Sequence, residues 1–467
     1  MLFSSISFIY YFLPIVLMLY FIVPFKFKNF ILLISSLFFY FYEEPIYSIL
    51  MIVSCISGYL HGLWIEKLRK SRYAKLPLIC SIIFSIGTLL YFKYADFLIE
   101  NITWLFDLEI LPLKLVLPIG ISFYTFQILS YTIDVYKGNA KVQKNFFSFA
   151  AYVTLFPQLI AGPIVRYTTV EQELSQRKHT MADFAYGINR FIVGLSKKVL
   201  IANTLGELSK IFSNLSQSTV LFYWISVIAF MLQIYYDFSG YSDMAIGLGR
   251  IFGFHFLENF DYPFISKSIS EFWRRWHISL GTWFRDYLYI PMGGNRVSNV
   301  KWIINIFVVW FLTGFWHGAD WNFVIWGLYF GIFLILENIL LKDILNKLPS
   351  MAGHIYTLFF LAISFVIFNT NSMTEAIEYM KGMLGILNIP FSNAETNYYL
   401  SSYGFAIIIA AFGATPVTIK VIQKIKCSKK GEFILNILEP IVLIALLLLI
   451  TGYLIDGSFN PFLYFRF

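Results

Sequence analysis

Charge is the scarcest feature of this 467-residue chain. Asp, Glu, Lys and Arg make up 13% of it, about half the roughly 25% of an ordinary soluble domain. So few charges cannot cover the surface of a soluble fold this apolar. Cysteine is nearly missing: there are three. Cys55 and Cys80 lie in apolar runs and Cys427 in a basic stretch, with no Cys-x-x-Cys pair, which argues against a disulfide framework or a zinc site. The P-loop, G-x-S-x-G and H-E-x-x-H signatures are absent. The glycines from Gly247 to Gly253 match a dinucleotide fingerprint only in part and follow an apolar helix rather than a strand. No internal repeat and no matched pair of broken helices is visible, which counts against a secondary transporter.

What fills the chain is apolar: 58% hydrophobic and 20% aromatic, with 51 Phe and 31 Tyr. A membrane span needs about 20 mostly apolar residues. The candidates are 6–25, 29–42, 46–65, 76–95, 115–136, 146–165, 219–236, 302–316, 323–341, 355–369, 399–419 and 434–455. Some are short and some carry Pro or Gly, so roughly ten or eleven true spans are expected, with one or two re-entrant pieces buried in the bundle. The run from Ile6 to Pro24 has no basic residue before it and no small-residue cleavage site after it, and reads as a retained helix. The expected fold is an all-α, polytopic membrane bundle with interfacial helices, one membrane-embedded domain over residues 1–467.

The net charge of +8 does not point to nucleic acid, because the basic residues sit in short loops between apolar runs. Lys67, Arg69, Lys70, Arg72 and Lys75 crowd one loop, Lys137, Lys141 and Lys144 a second, and Lys420, Lys424, Lys426, Lys429 and Lys430 a third. All three are expected on the cytoplasmic side. The loop 96–113 carries Asp96, Glu100, Asp107 and Glu109 and no base, and is expected outside, with both termini. The polar stretches 166–190 and 264–300 are too short for soluble domains, so any chemistry belongs within the membrane or at its face.

Ionisable groups at membrane depth are costly and mark function by default. Trp316-His317-Gly318-Ala319-Asp320-Trp321-Asn322 interrupts two apolar runs. His317 follows Lys301 by about 24 Å of helix, which is deep in the bilayer or near its far face. A neutral imidazole can take a proton from an alcohol there. Gly318 and Ala319 leave room for a substrate, and Asp320 is spaced to orient the ring. The same residues also suit an interfacial turn with belt tryptophans. In a second cluster, Phe272, Trp276, Leu280, Trp283 and Tyr287 recur at helical spacing while Lys267, Arg274 and Arg275 lie off the stripe. This reads as one amphipathic interfacial helix, either a surface anchor or a seat for donor phosphates, with His277 turned away from the stripe. In a third, Tyr235 to Asp243, Asp237 and Asp243 either line a polar tunnel or serve structure. In a fourth, Phe156 to Arg166, Pro157, Gly162 and Pro163 break a helix that must then be buried or line water. His61, His179, His255 and His354 have no comparable context.

Several long motifs in order carry a resemblance. YDFSGYSDMAIGLGRIFGFHFLENFDYPFISKSISEFWRRWHISLGTWFRDYLYIPMGGNR (Tyr236 to Arg296), LTGFWHGADWNFVIWG (Leu312 to Gly327), PIGISFYTFQILSYTIDVYKG (Pro118 to Gly138), FPQLIAGPIVR and the terminal NPFLYFRF resemble the membrane-bound O-acyltransferases. The likeness is to the branch of bacterial membrane subunits that acetylate alginate, peptidoglycan and cellulose. Its signature core falls at about 115–341. The resemblance implies a bundle of about eleven spans around a funnel, an acyl thioester entering from the cytoplasm and an acceptor outside, in a bacterial cell membrane. It places the family's invariant histidine on His317 and its second on His277. It implies acetyl-CoA as donor substrate, no tightly bound cofactor and no metal. The implied partners are an extracellular or periplasmic SGNH-type acetyltransferase or esterase and a cell-surface or exported polysaccharide. Arg274, Arg275, Trp276, Asp237, Asp320, Asn295 and Arg296 are the candidate donor- or substrate-binding residues. A relative that moves D-alanine from a carrier-protein thioester onto teichoic acid shares WRRWH-like and WHG-like motifs, but Met292 to Arg296 sides with the acetylating branch. Asn369-Thr370-Asn371 stands where many relatives have an arginine, so no role is carried over for that residue. The rival from another class is a polysaccharide exporter without chemistry.

Overall fold

The computed structural model describes residues 1–160, 162–212 and 218–457. Ala161 of the FPQLIAGPIVR motif and the terminal NPFLYFRF motif lie outside the described residues. Among those described, every regular element is helical.

Among the described residues, eight helices are long and apolar enough to cross a membrane: Phe25–Glu43, Tyr47–Leu68, Lys75–Phe106, Val220–Ile251, Asn299–His317, Trp321–Lys347, Ser350–Asn369 and Lys429–Ile455. Ala394–Gly413 and Val417–Lys426, bent by 60°, make a ninth if they form one span. Ser7–Ile22 is a shorter apolar helix. This falls below the expected ten or eleven for two local reasons. Residues 115–136 become helical only at Ile121, leaving the 17 residues Ile121–Lys137, about 25 Å of helix against a core of roughly 30 Å. Residues 146–165 break at Leu155, and the short buried turn Phe156–Leu159 follows, its first N–H donating to Ser36 Oγ at 3.0 Å.

The chain forms two compact units, Met1–Phe191 with Met244–Leu257, and Ile192–Asp243 with Glu258–Phe467. In the first, Tyr47–Leu68, Lys75–Phe106 and Ile121–Lys137 pack on one another. Its polar stretch is knitted back onto the first helices by buried Arg177, which donates from Nε to Tyr20 Oη (3.1 Å) and from Nη1 to Asn29 Oδ1 (2.7 Å).

The second unit carries the candidate site. Its helices are α1 (Val220–Ile251, whose last turns belong to the first unit), α2 (Ile269–Arg275), α3 (Ile278–Phe284), α4 (Asn299–His317), α5 (Trp321–Leu336) and α6 (Ser350–Asn369). Aromatic rings from α2, α4, α5 and α6 meet in its core, among them Phe272, Trp310, Trp326, Phe330 and Phe365. A π-turn, Lys197–Ala202, is tied to α1 by two ion pairs, Lys198–Asp237 and Lys197–Asp243, each 2.6 Å. Both acids of the Tyr235–Asp243 cluster are thus held in ion pairs.

The side chains of Lys198 and Asp237 are 4% and 3% exposed. Losing one partner of so buried a pair strands the other's charge, at about 3–5 kcal/mol, whereas an apolar pair of similar volume is often neutral. Lys198→Met is expected to lower the unfolding midpoint of the detergent-solubilised protein sharply, and Lys198→Met with Asp237→Leu to restore most of it. Equal losses in single and double variants would contradict this.

Candidate active site

His317 is the last residue of α4, at the mouth of a tight hairpin with α5. The hairpin closes because two glycines let the backbones touch. A Cβ built on Gly314 would lie 2.2 Å from the Phe323 carbonyl oxygen, and one on Gly327 would lie 2.3 Å from that of Trp310. Small residues at such crossings are the usual means of close helix packing in membranes. Asp320 then starts α5, its carboxylate accepting the Asn322 N–H at 3.2 Å. Asn322 Nδ2 in turn donates to the Thr370 carbonyl at the end of α6, at 2.5 Å. His317 is thereby pressed among rings, with Trp326 at 4.9 Å, Trp316 at 5.0 Å and Phe368 at 5.7 Å, and is 6% exposed.

His277 does not lie on one amphipathic helix, as its spacing suggests. The helix stops at Arg275, Trp276 is extended, His277 takes the left-handed conformation (φ 44°, ψ 53°), and α3 begins at Ile278. Asn259 makes the break. Its carbonyl accepts the Ile278 N–H at 2.9 Å and its side-chain oxygen the Ser279 N–H at 3.1 Å, taking donors that a continuous helix would send back four residues. A non-glycine residue held at positive φ is strained, and such strain gathers at functional sites. The start of α2 is fixed from the residue that follows α5: Glu337, buried, accepts the N–H groups of Ile269 (2.6 Å) and Ser270 (2.8 Å) and the Ser270 hydroxyl (2.6 Å). His277 is 1% exposed, edge-on to Phe238 at 4.6 Å, and Trp316 neighbours both it and His317. Burial, and then the nearby His317, hold its imidazole well below the usual histidine range, so it is neutral at pH 7.

Two cavities adjoin these residues. A small one of about 20 Å³ is lined by His317, Trp276, Trp273, Trp326 and surrounding Phe side chains, room for about one water. A larger, partly open cleft of about 480 Å³ lies between α2–α3 and α4, with Arg274 and Arg285 in its wall. Trp273 lines both. The indole N–H groups of Trp273 and Trp326 are buried without a hydrogen-bond partner among the described residues.

The structure thus brings Arg274 to the larger cleft and His317 and Trp276 to the smaller one, while His277 lines neither and neighbours His317 through Trp316. The other candidates line neither cavity. Arg275 is bound to Asp261 (2.7 Å) and Glu271 (3.0 Å). Asp237 is paired with Lys198, and Asp320 is exposed and caps α5 rather than standing behind His317. Asn295 and Arg296 are exposed in the turn before α4. The remaining histidines sit in structural contacts: His61 with the Ser57 carbonyl, His179 with Tyr20, His255 with Glu173, and His354 with the Ser266 carbonyl. Asn259 and Glu337 are not marked by the sequence, since neither stands at a motif spacing to either histidine.

Residues 51–374 match the membrane-bound O-acyltransferase family. The chain belongs to that family. It is 41% identical over 388 residues to the probable alginate O-acetylase of Pseudomonas aeruginosa, covering 82% of this chain and 75% of that one. To the corresponding protein of Azotobacter vinelandii it is 36% identical over the full length of both. To the peptidoglycan O-acetyltransferase of Helicobacter pylori it is 33% identical, over 83% of this chain and 80% of the other. This acyltransferase is a multi-pass membrane protein, and membership removes the ground for an exporter without chemistry.

The glycine contact gives a test of the hairpin. Gly327→Ala forces a methyl group against the Trp310 carbonyl, whereas Gly404 has nothing within 4 Å of an added Cβ. The acyltransferase carrying Gly327→Ala is expected to melt earlier in detergent and to lose activity in step, while Gly404→Ala leaves both unchanged.

Proposed function

We propose that the enzyme moves an acetyl group from cytoplasmic acetyl-CoA to a hydroxyl of an exported or cell-surface polysaccharide, or of an SGNH-type partner protein that modifies one. The observation that carries this reading is the placement of His317 in a small aromatic enclosure beside a much larger cleft. The alginate and peptidoglycan acetylases it resembles support the acetyl group and the glycan acceptor.

His317 acts as general base. It takes the proton of an acceptor hydroxyl, the alkoxide attacks the thioester carbonyl, and the tetrahedral intermediate expels CoA thiolate. The unpartnered indole N–H groups of Trp273 and Trp326 are suited to donate to the developing oxyanion. Arg274, exposed at the cleft, suits the phosphates of the donor. His277, neutral and buried, suits a second place along the proton path. The tight apolar enclosure favours a methyl-bearing acetyl group. No carboxylate lines it to receive the ammonium of a D-alanyl group, which sets the D-alanyl alternative second.

The test is acetyl-CoA-dependent CoA release by purified, membrane-inserted protein with alginate oligosaccharides as acceptor. His317→Ala is expected to reduce transfer at least about a hundredfold, within the 10²–10⁴ of general-base catalysis. Undiminished transfer would remove His317 from the chemistry, and transfer only from a D-alanyl thioester would replace the donor.

A further inference from the structure

The Asn259 amide does more than break the helix. We propose that Asn259 is a positioning residue for acyl transfer: it locks the His277 ring into the tautomer whose Nε2 lone pair is available. This rests on the reading that His277 serves the reaction.

The argument begins with the amide's orientation. The side-chain oxygen of Asn259 lies 3.1 Å from the Ser279 backbone nitrogen, which can only donate, so the atom there must be the oxygen rather than the NH₂. The same oxygen accepts from Ser279 Oγ at 2.9 Å and stands 3.1 Å from His277 Nδ1. An amide oxygen cannot donate, so Nδ1 carries the proton. In the neutral ring Nε2 is then left with its lone pair. That atom is buried and has no hydrogen-bond partner among the described residues. A buried polar atom left unsatisfied is costly and calls for an explanation. Here the lone pair is what the tautomer keeps free for the place of His277 along the proton path.

The amide itself is fixed from a second direction. Asn259 is 0% exposed and its Nδ2 donates to Ser242 Oγ on α1 at 3.1 Å. The backbone bond from Ile278 N–H to the Asn259 carbonyl, 2.9 Å, holds the strained residue in place. Around the ring stand Phe238 from α1, Phe260, Ser279 from α3 and Trp316 from α4, with His317 the titratable group that acts on it. The Tyr235–Asp243 motif thus reaches the site through Ser242 and Phe238, while its acids hold the scaffold.

The experiment compares wild type, Asn259→Asp, Asn259→Leu and His277→Ala as full-length protein in proteoliposomes, reading kcat and KM for acetyl-CoA against pH with alginate oligosaccharides as acceptor. Aspartate keeps an oxygen for all three donors but adds a negative charge, which stabilises the imidazolium and raises its pKa. The acid limb of the kcat profile is therefore expected to move up by about one pH unit or more in Asn259→Asp, with activity retained above it. Asn259→Leu is expected to lose kcat about tenfold or more with KM little changed, in the range of other removed supporting contacts. An unshifted limb in folded, active Asn259→Asp overturns the assignment while leaving His277 in place. Full activity in His277→Ala overturns both. If Asn259→Leu does not fold, the Asn259→Asp profile decides alone.

Discussion

The contact between Gly314 and the start of α5 fixes where this enzyme holds His317. Two backbones that touch leave no freedom in the turn that joins them, and that turn ends on His317. Once the hairpin is set, the imidazole has only aromatic neighbours on the sides facing Trp326 and Phe368. Water is limited there to about one molecule by the space available. Lys197, Lys198 and Arg275 of the unit are held in ion pairs, the lysines with α1 and the arginine with two acids.

The second histidine is held by different means. His317 is placed by helix packing, His277 by hydrogen bonds that override a helix. Glu337 receives the first N–H groups of α2, and Asn259 receives the first N–H groups of α3. Between these two acceptors the chain turns sharply enough to bury His277 and leave Arg274 at the cleft. Trp273 stands in the wall of both cavities, between the cleft that holds Arg274 and the enclosure of His317. A buried histidine and an exposed arginine thus stand three residues apart, which on the proposed reading would keep the donor's phosphates wet and its thioester dry.

Much of this was legible in the sequence, and the parts that were not share a cause. Composition alone announced a membrane bundle, and WHGAD between two apolar runs singled out a histidine that the fold buries among aromatic rings. The spacing of Asp237 fits a tunnel wall or a structural role alike, and its ion-pair partner, Lys198, lies 39 positions earlier. The WRRWH stretch reads as one helix because its apolar spacing is helical on both sides of the break. What breaks it is a side chain 18 residues upstream, and what seats its beginning is a carboxylate about seventy residues downstream. Local periodicity carries no trace of hydrogen bonds that arrive from such distances. The same holds for Ile121–Lys137, apolar enough to suggest a span but too short as folded, with its burial supplied by neighbouring helices.

The central claim is that the acyl group is handed over beside His317. A structure of the protein in nanodiscs with a thioether analogue of acetyl-CoA that cannot transfer tests it most directly. The analogue's acetyl carbon is predicted in an enlarged enclosure against His317, with Trp273 displaced and the phosphates near Arg274. An analogue seated with its acetyl carbon away from His317, and Trp273 still closing the enclosure, would contradict it.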